Sequence, residues 1–195
     1  PYSTMAYPEY VGEPLDYAEN MLSRPTTLMI DDVAALQYLY GVNEQYNTED
    51  NVYSIGSFDD GTLNAKWGDN NIYAAIWDSG GADTLSWAGL NSVASINLND
   101  GEFSSFGNIT GPDDADLDNQ WLPDGDGILG IGYGVIIENA IGGSSGDTIV
   151  GNEYANYLYG GTGAGVKDTL TGNGGADIFI SCIADATTDL LFADS

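Results

Sequence analysis

Histidine is absent from the 195-residue chain, so no His-Glu-x-x-His zinc helix can be written anywhere in it. Basic residues are almost as scarce. Three Lys and Arg stand against 30 Asp and Glu, a formal net charge of −27. Such a surface repels nucleic acid and anionic membranes, which are themselves polyanions. The lone cysteine, Cys182, rules out an intrachain disulfide, and with no His or basic neighbour to activate it, it reads as a small packing side chain. No run of 18 apolar residues offers a membrane span, and no charged-then-apolar leader opens the chain. The first residues, PYSTMAYPEY, and the last, DLLFADS, read as the ends of a fragment.

What the chain has in excess is glycine and acid. Glycine accounts for 27 residues, without a collagen period, and hydrophobic residues make up 43%, enough for a core rather than a disordered acidic tail. A folded chain this negative repels itself unless something cationic is built in, and a hard divalent metal is the natural candidate. The glycines concentrate in rows that begin at Gly142, Gly151, Gly160 and Gly172, spaced by nine, nine and twelve residues. Each row leads to an Asp or Asn followed two residues later by an apolar side chain: Asp147 and Ile149, Asn156 and Leu158, Asp168 and Leu170, Asp177 and Phe179. This is the nonapeptide pattern Gly-Gly-x-Gly-x-Asp-x-aliphatic-x. Row two departs from it with Asn152 and Asn156, and row three carries three extra residues before Asp168. The pattern predicts half-turns of a parallel roll, each with a very short strand and one buried residue. Rows one and three stack on one edge, and rows two and four on the other. Glycine frees backbone carbonyls to point inward. Calcium accepts six to eight oxygens, carbonyls included.

These rows resemble the RTX calcium-binding repeats, the parallel β-roll of secreted bacterial proteins. The resemblance implies a ligand scheme. Gly143, Ser145 and Asp147 would face Gly160, Thr162 and Ala164 across one calcium. Asn152, Tyr154 and Asn156 would face Gly172, Gly174 and Ala176 across a second, weaker one, because Asn156 brings no charge. Asp168 and Asp177 would face a further coil, and after residue 181 the glycines run out.

Four ordered segments narrow the family: STMAYPEY, TTLMIDDVAALQYLYGVN, IWDSGGADTLSWAG and GVIIENAIGG. In the second, Asp31 and Asp32 suit a helix N-terminus, Val33, Leu36, Gln37, Leu39 and Tyr40 follow near-helical spacing, and Gly41 stops the helix. In this order the segments resemble serralysin-type zinc metallopeptidases of the metzincin group. The resemblance implies that Met5 is the Met-turn methionine beneath a catalytic zinc, and that Tyr7 is the zinc-binding and oxyanion-stabilising tyrosine. The zinc helix itself cannot lie in a chain without histidine. Zinc would therefore belong only to a parent enzyme, with an upstream catalytic segment as partner and peptides as substrates, and this chain alone would be inactive. The resemblance also implies secretion to the extracellular space, by a type I route, as an unfolded chain that folds on meeting calcium.

The stretch WDSGGADTL has a carboxylate logic of its own, since Asp78 and Asp83 flank a turn able to aim several carbonyls one way. By resemblance a calcium lies here, with Asp78, Gly80, Gly81 and Asp83 facing Asn47, Glu49 and Asn51. Glu138 and the carbonyl of Ile136 would close another site. Residues 111–127 form an apparent surface insertion in which Asp114, Asp116 and Asp118 alternate as in the first half of an EF-hand loop. Asn119 stands where glycine is usual, and Gly125 replaces the closing glutamate, so an extra calcium there would be weak.

The expected architecture is mainly β: a β-sandwich leading into a right-handed parallel β-roll, with one N-terminal α-helix near residues 31–40. Residues 1–45 would be the end of the catalytic domain and residues 46–195 the calcium-binding domain. Two rivals stand beside this reading. A non-catalytic calcium-dependent RTX adhesion module would lack the Met-turn and the helix. A carbohydrate-binding or lyase-like solenoid would use Trp67, Trp87 and Trp121 as exposed sugar platforms, and would need paired catalytic groups in a groove.

Overall fold

The computed structural model describes residues 27–54, 57–58, 73–106, 128–163, 165–181 and 190–192. Met5, Tyr7, Trp67, Asp114, Asp116, Asp118, Trp121 and Ala164 lie outside the described residues.

Helix α1, Ile30–Tyr40, starts as its acids predict. The backbone N–H of Met29 donates to the Asp32 carboxylate at 3.0 Å, which caps the first turn. Gly41 closes the helix at φ 90°, a conformation that favours glycine. The apolar spacing does not produce a buried face here. Ile30 is buried, whereas Leu39 and Tyr40 are 66% and 82% exposed. Ile30 instead anchors the helix N-terminus. A Cβ on Gly130 would come within 2.9 Å of its methyl group, so the glycine makes room for it.

Thirteen short strands among the described residues form two sheets. One runs in the order β12 (Ile178–Ile180), β10 (Tyr157–Tyr159), β8 (Asn139–Ile141), β4 (Thr84–Ser86), β1 (Val52–Ser54), β2 (Ser57–Phe58). The other runs β13 (Leu190–Phe192), β11 (Thr169–Thr171), β9 (Thr148–Val150), β5 (Ala94–Asn97), β6 (Phe103–Phe106), β7 (Ile128–Ile131), β3 (Tyr73–Ile76). From β8 onward the chain alternates between the sheets with every strand, and each strand pairs in parallel with the one two places along. That is a parallel roll, with the antiparallel β5–β6–β7 pairing standing at its N-terminal end. Rows one and three share one edge and rows two and four the other, as the row spacing predicts.

From β8 to β12 each strand has three residues, and its middle residue points inward. In one sheet Tyr53, Leu85, Ala140, Leu158 and Phe179 stand in register. In the other Ile96, Ile149 and Leu170 do the same. All but Phe179 are buried, in one continuous core that also holds Trp87, Leu129 and Ile131. A buried Leu or Ile contributes about 1.5–3 kcal/mol. One such residue per nine is little against the cost of ordering the rest of a coil. The turns must therefore contribute as well. Trp87 is fully buried, which removes it from the set of exposed sugar platforms. Its position after β4 aims the indole into the core rather than along the surface.

Candidate metal centre

Two turns meet at the N-terminal end of the first sheet. Residues 47–51 lead into β1, and residues 78–83 lead into β4, which pairs with it. The pairing brings the two turns side by side. The Ser79 N–H donates to the Asn47 carbonyl at 3.2 Å, and the Thr84 N–H to the Asn51 carbonyl at 2.9 Å. The Asn51 N–H donates to Asp83 Oδ1 at 2.8 Å, and its side-chain amide donates to the Glu49 carbonyl at 2.7 Å. Gly80 and Gly81 take φ of 146° and 140°. A Cβ on Gly81 would collide with the Glu49 carbonyl and reach 3.0 Å from Asp83 Oδ1, so only glycine fits there.

The carboxylates of this cradle are deeply placed. Asp78 is 3% exposed and Asp83 is fully buried. Asp83 Oδ2 is buried with no hydrogen-bond partner among the described residues. Burial pushes the Asp83 carboxyl up to about 7 despite the Asn51 N–H, and the nearby charges of Asp78 and Glu138 add to the rise. Glu138 reaches the same place from another coil, because its Oε2 accepts the Asp83 N–H at 2.8 Å. An unsatisfied buried carboxylate oxygen among backbone carbonyls and like charges is a donor set that a proton or a cation could complete. Among the described residues no cluster of three His, Cys, Asp or Glu is spaced to hold a metal by side chains alone. What the cradle offers is a few carboxylate oxygens with carbonyls around them, the mixture a hard ion takes. A cavity of about 250 Å³ lined by Asn47, Thr48, Glu49 and Asn51 opens at this end.

Tyr53 is the residue that sequence reasoning missed. Its hydroxyl donates to Asp78 Oδ2 at 2.5 Å and accepts from the Asn47 amide at 3.2 Å, so it holds both turns. Burial, with the Asp78 carboxylate beside it, drives the phenol strongly upward and keeps it protonated. The signal was present in the sequence. Asn51-Val52-Tyr53 repeats the spacing of Asp83-Thr84-Leu85 and Glu138-Asn139-Ala140, with Tyr in the aliphatic place.

Along the roll the row pairs lie face to face. Asp147 is buried, and accepts the Gly143 N–H at 2.6 Å and the Ala94 N–H at 2.8 Å. Its carboxyl is raised by burial, against those two bonds. The Thr162 N–H donates to the Gly143 carbonyl at 2.9 Å. A Cβ on Gly142 would strike the Gly160 carbonyl and come 2.7 Å from Asp147 Oδ2, which shows how closely these oxygens converge. The Ser145 hydroxyl turns away to the Asn91 carbonyl at 2.8 Å. On the other edge the Gly174 N–H donates to the Asn152 carbonyl at 3.1 Å, and the Asn156 N–H to Asp177 Oδ1 at 2.9 Å. A Cβ on Gly151 would contact both Asn156 Oδ1 and the Gly172 carbonyl. The exposed Tyr154 enters this turn through its N–H, given to Asn152 Oδ1 at 3.1 Å, and Ala176 stands exposed in the facing turn. The Asp147 N–H donates to Asp168 Oδ1 at 2.8 Å, extending the ladder. Ile136 lies half-buried two residues before Glu138.

Residues 42–190 match the family described as Peptidase M10 serralysin C terminal. The chain belongs to the serralysin C-terminal family. Serralysin C of Dickeya chrysanthemi is 39% identical over 117 residues, 60% of this chain and 21% of that protein. Serralysin B of the same organism is 36% identical over 144 residues, 73% of this chain and 26% of that protein. Metallopeptidase AprA of Pseudomonas marginalis is 36% identical over 121 residues. The chain thus spans only about a fifth to a quarter of the length of these relatives. The serralysin match takes in every strand from β1 to β12, and so both the paired turns and the four glycine rows. No helix among the described residues is long and apolar enough to cross a membrane.

Proposed function

We propose that this chain is the calcium-binding C-terminal region of a secreted serralysin-like zinc endopeptidase, and that it folds and is stabilised by Ca²⁺. One observation carries the calcium reading. Among the described residues Asp83 Oδ2 is a buried carboxylate oxygen without a hydrogen-bond partner, set among carbonyls that glycine alone permits. Asn47, Glu49, Asn51, Asp78, Gly80, Gly81 and Asp83 would hold one ion. Glu138 and Ile136 would share Asp83 in a second, consistent with the bond between Glu138 and the Asp83 N–H. Gly143, Ser145 and Asp147 with Gly160, Thr162 and Ala164 would hold a third. Asn152, Tyr154 and Asn156 with Gly172, Gly174 and Ala176 would hold a weaker fourth. Asp168 and Asp177 would serve the coil beyond, and Asp114, Asp116 and Asp118 an extra surface ion.

Residues 1–45 would end the catalytic domain, with Met5 and Tyr7 as floor and ligand of a zinc held by the upstream segment. Residues 46–195 would be the calcium-binding domain. Extracellular calcium, a chain without disulfides and an acidic surface together support export as an unfolded chain by a type I route. The test is calorimetric titration of the chain with Ca²⁺ after chelation, beside Asp83→Asn. The expected result is several ions per chain, with the tightest class lost or weakened in the variant. A chain that takes up no calcium overturns the reading.

A further inference from the structure

The position-six residues of the coils share one habit, and Asn156 breaks it. Asp83, Asp147 and Asp177 each accept a backbone N–H from the coil before, given by Asn51, Ala94 and Asn156 respectively. Asp168 accepts from Asp147 in the same way. At Asn156 the polarity is reversed. Its side-chain amide donates backward, to the Glu138 carbonyl at 3.0 Å and to Asn152 Oδ1 at 3.0 Å. Asn152 stands where the first row has Gly143, and its amide donates to the Leu98 carbonyl at 3.2 Å and the Ile137 carbonyl at 2.8 Å. Leu98 follows β5 in one sheet, and Ile137 precedes β8 in the other. One side chain therefore ties the two sheets together.

The carbonyls at this junction are already taken. The Glu138 carbonyl also accepts the Tyr157 N–H at 3.1 Å. The Gly151 carbonyl accepts the amides of Asn99 at 2.9 Å and Asn173 at 2.7 Å. Each carbonyl oxygen has two lone pairs, and on Gly151 and Glu138 both are used. Asn152 and Asn156 are 5% and 3% exposed, and both N–H groups of each amide have an acceptor. The four amide hydrogens therefore hold the junction together without needing a cation. We propose that the junction between residues 134–138 and 151–157 is an asparagine lock that holds without metal. It keeps the coil closed and the two sheets joined when calcium is stripped, so that the charged coils on either side reload onto a fixed base.

The lock stands apart from the calcium reading, because it predicts which part of the roll does not need the ion. The test is residue-resolved hydrogen exchange on the 195-residue chain in chelator and then in excess Ca²⁺. In chelator, the Asn152 and Tyr157 N–H groups are expected to exchange at least roughly tenfold more slowly than those of Gly143 and Thr162. Added calcium should slow Gly143 and Thr162 and leave Asn152 and Tyr157 nearly unchanged. Equal and fast exchange of all four in chelator overturns the lock. Slow Asn152 with Gly143 indifferent to calcium leaves the lock standing and overturns the calcium reading instead. Asn156→Asp gives a second readout by turning a donor into a carboxylate facing the Glu138 carbonyl. It is expected to lower the melting temperature in chelator by several degrees and to widen the gap between chelator and calcium. An unchanged or higher melting temperature in chelator refutes the lock.

Discussion

Asp147 and Asn156 hold equivalent places on opposite edges of the roll, and they differ by one charge. Both accept a backbone N–H four residues back, from Gly143 and Asn152. Asp147 adds a buried carboxylate, raised by burial against its two backbone N–H bonds. In a cage of carbonyls that charge is the largest attraction for Ca²⁺. Asp147→Asn keeps the size and one oxygen and removes the charge. It should weaken one calcium by more than tenfold, or more than about 1.4 kcal/mol. Calorimetric titration reads this, and unchanged affinities throughout would disprove the ligand scheme at residues 142–168. Asp83 gives a pH dependence of definite sign. Its carboxyl titrates near 7 in the folded chain, against 3.8 ordinarily. Between those values the metal-free folded state holds a proton that the unfolded state has lost. Stability from this group is therefore fullest below the lower value and declines as pH rises through the window, to level off above the upper one. Calcium binds the ionised carboxylate, so its affinity at this site should climb through the same window. Thermal melts from about pH 5 to about pH 8, in chelator and in calcium, should slope in opposite directions in this respect. Parallel slopes would refute the assignment.

At the scale of the coil, order depends on what fills the turns. Strands β9, β10 and β11 each bury only their middle residue, Ile149, Leu158 and Leu170. Hydrogen exchange over residues 142–148 and 160–177 should therefore slow on adding Ca²⁺. Binding to the folded form alone adds about 2.7 kcal/mol per site at a hundredfold excess over Kd. Exchange indifferent to calcium would show that the backbone bonds suffice. This is also the scale at which the sequence was most legible. The row spacing, with one apolar residue two places after each Asp or Asn, predicts the pairing of β9 with β11 and of β10 with β12. It stopped short where the rows lose their glycines. The coils at residues 51–53, 83–85 and 138–140 belong to the same stack, yet they carry Asn, Asp and Glu at the sixth place and Tyr, Leu and Ala inside. No local pattern marks the Tyr53 hydroxyl bond to Asp78, because it joins positions 25 residues apart. The apolar spacing of α1 marked the helix and no more. It is a helix, but periodicity says nothing of whether a partner surface stands against Leu39 and Tyr40.

For the whole molecule, composition limits chemistry more firmly than any local feature. Peptide hydrolysis in a zinc enzyme needs a metal held by three protein ligands and a base to activate its water. This chain has no histidine, and among the described residues Asp83, Asp147 and Asp177 each accept a backbone N–H. Zinc prefers nitrogen and sulfur ligands in a tetrahedral set, which carbonyl-rich turns do not provide. The isolated chain should therefore show no caseinolysis and less than one equivalent of zinc by elemental analysis, in the presence of calcium and in its absence. One zinc per chain, or proteolysis blocked by a zinc-selective chelator, would contradict this. If a histidine-bearing upstream segment is supplied as a separate polypeptide, calcium should govern its effect. On the proposed reading the calcium-loaded chain would offer a folded partner, whereas the chelated chain would offer a polyanion of net charge −27 with its charged coils open. Activity regained with calcium and not with chelator would tie Met5 and Tyr7 to the parent's zinc site. Variants Tyr7→Phe and Met5→Ala would then lower that regained activity, and full activity in both would remove these residues from it.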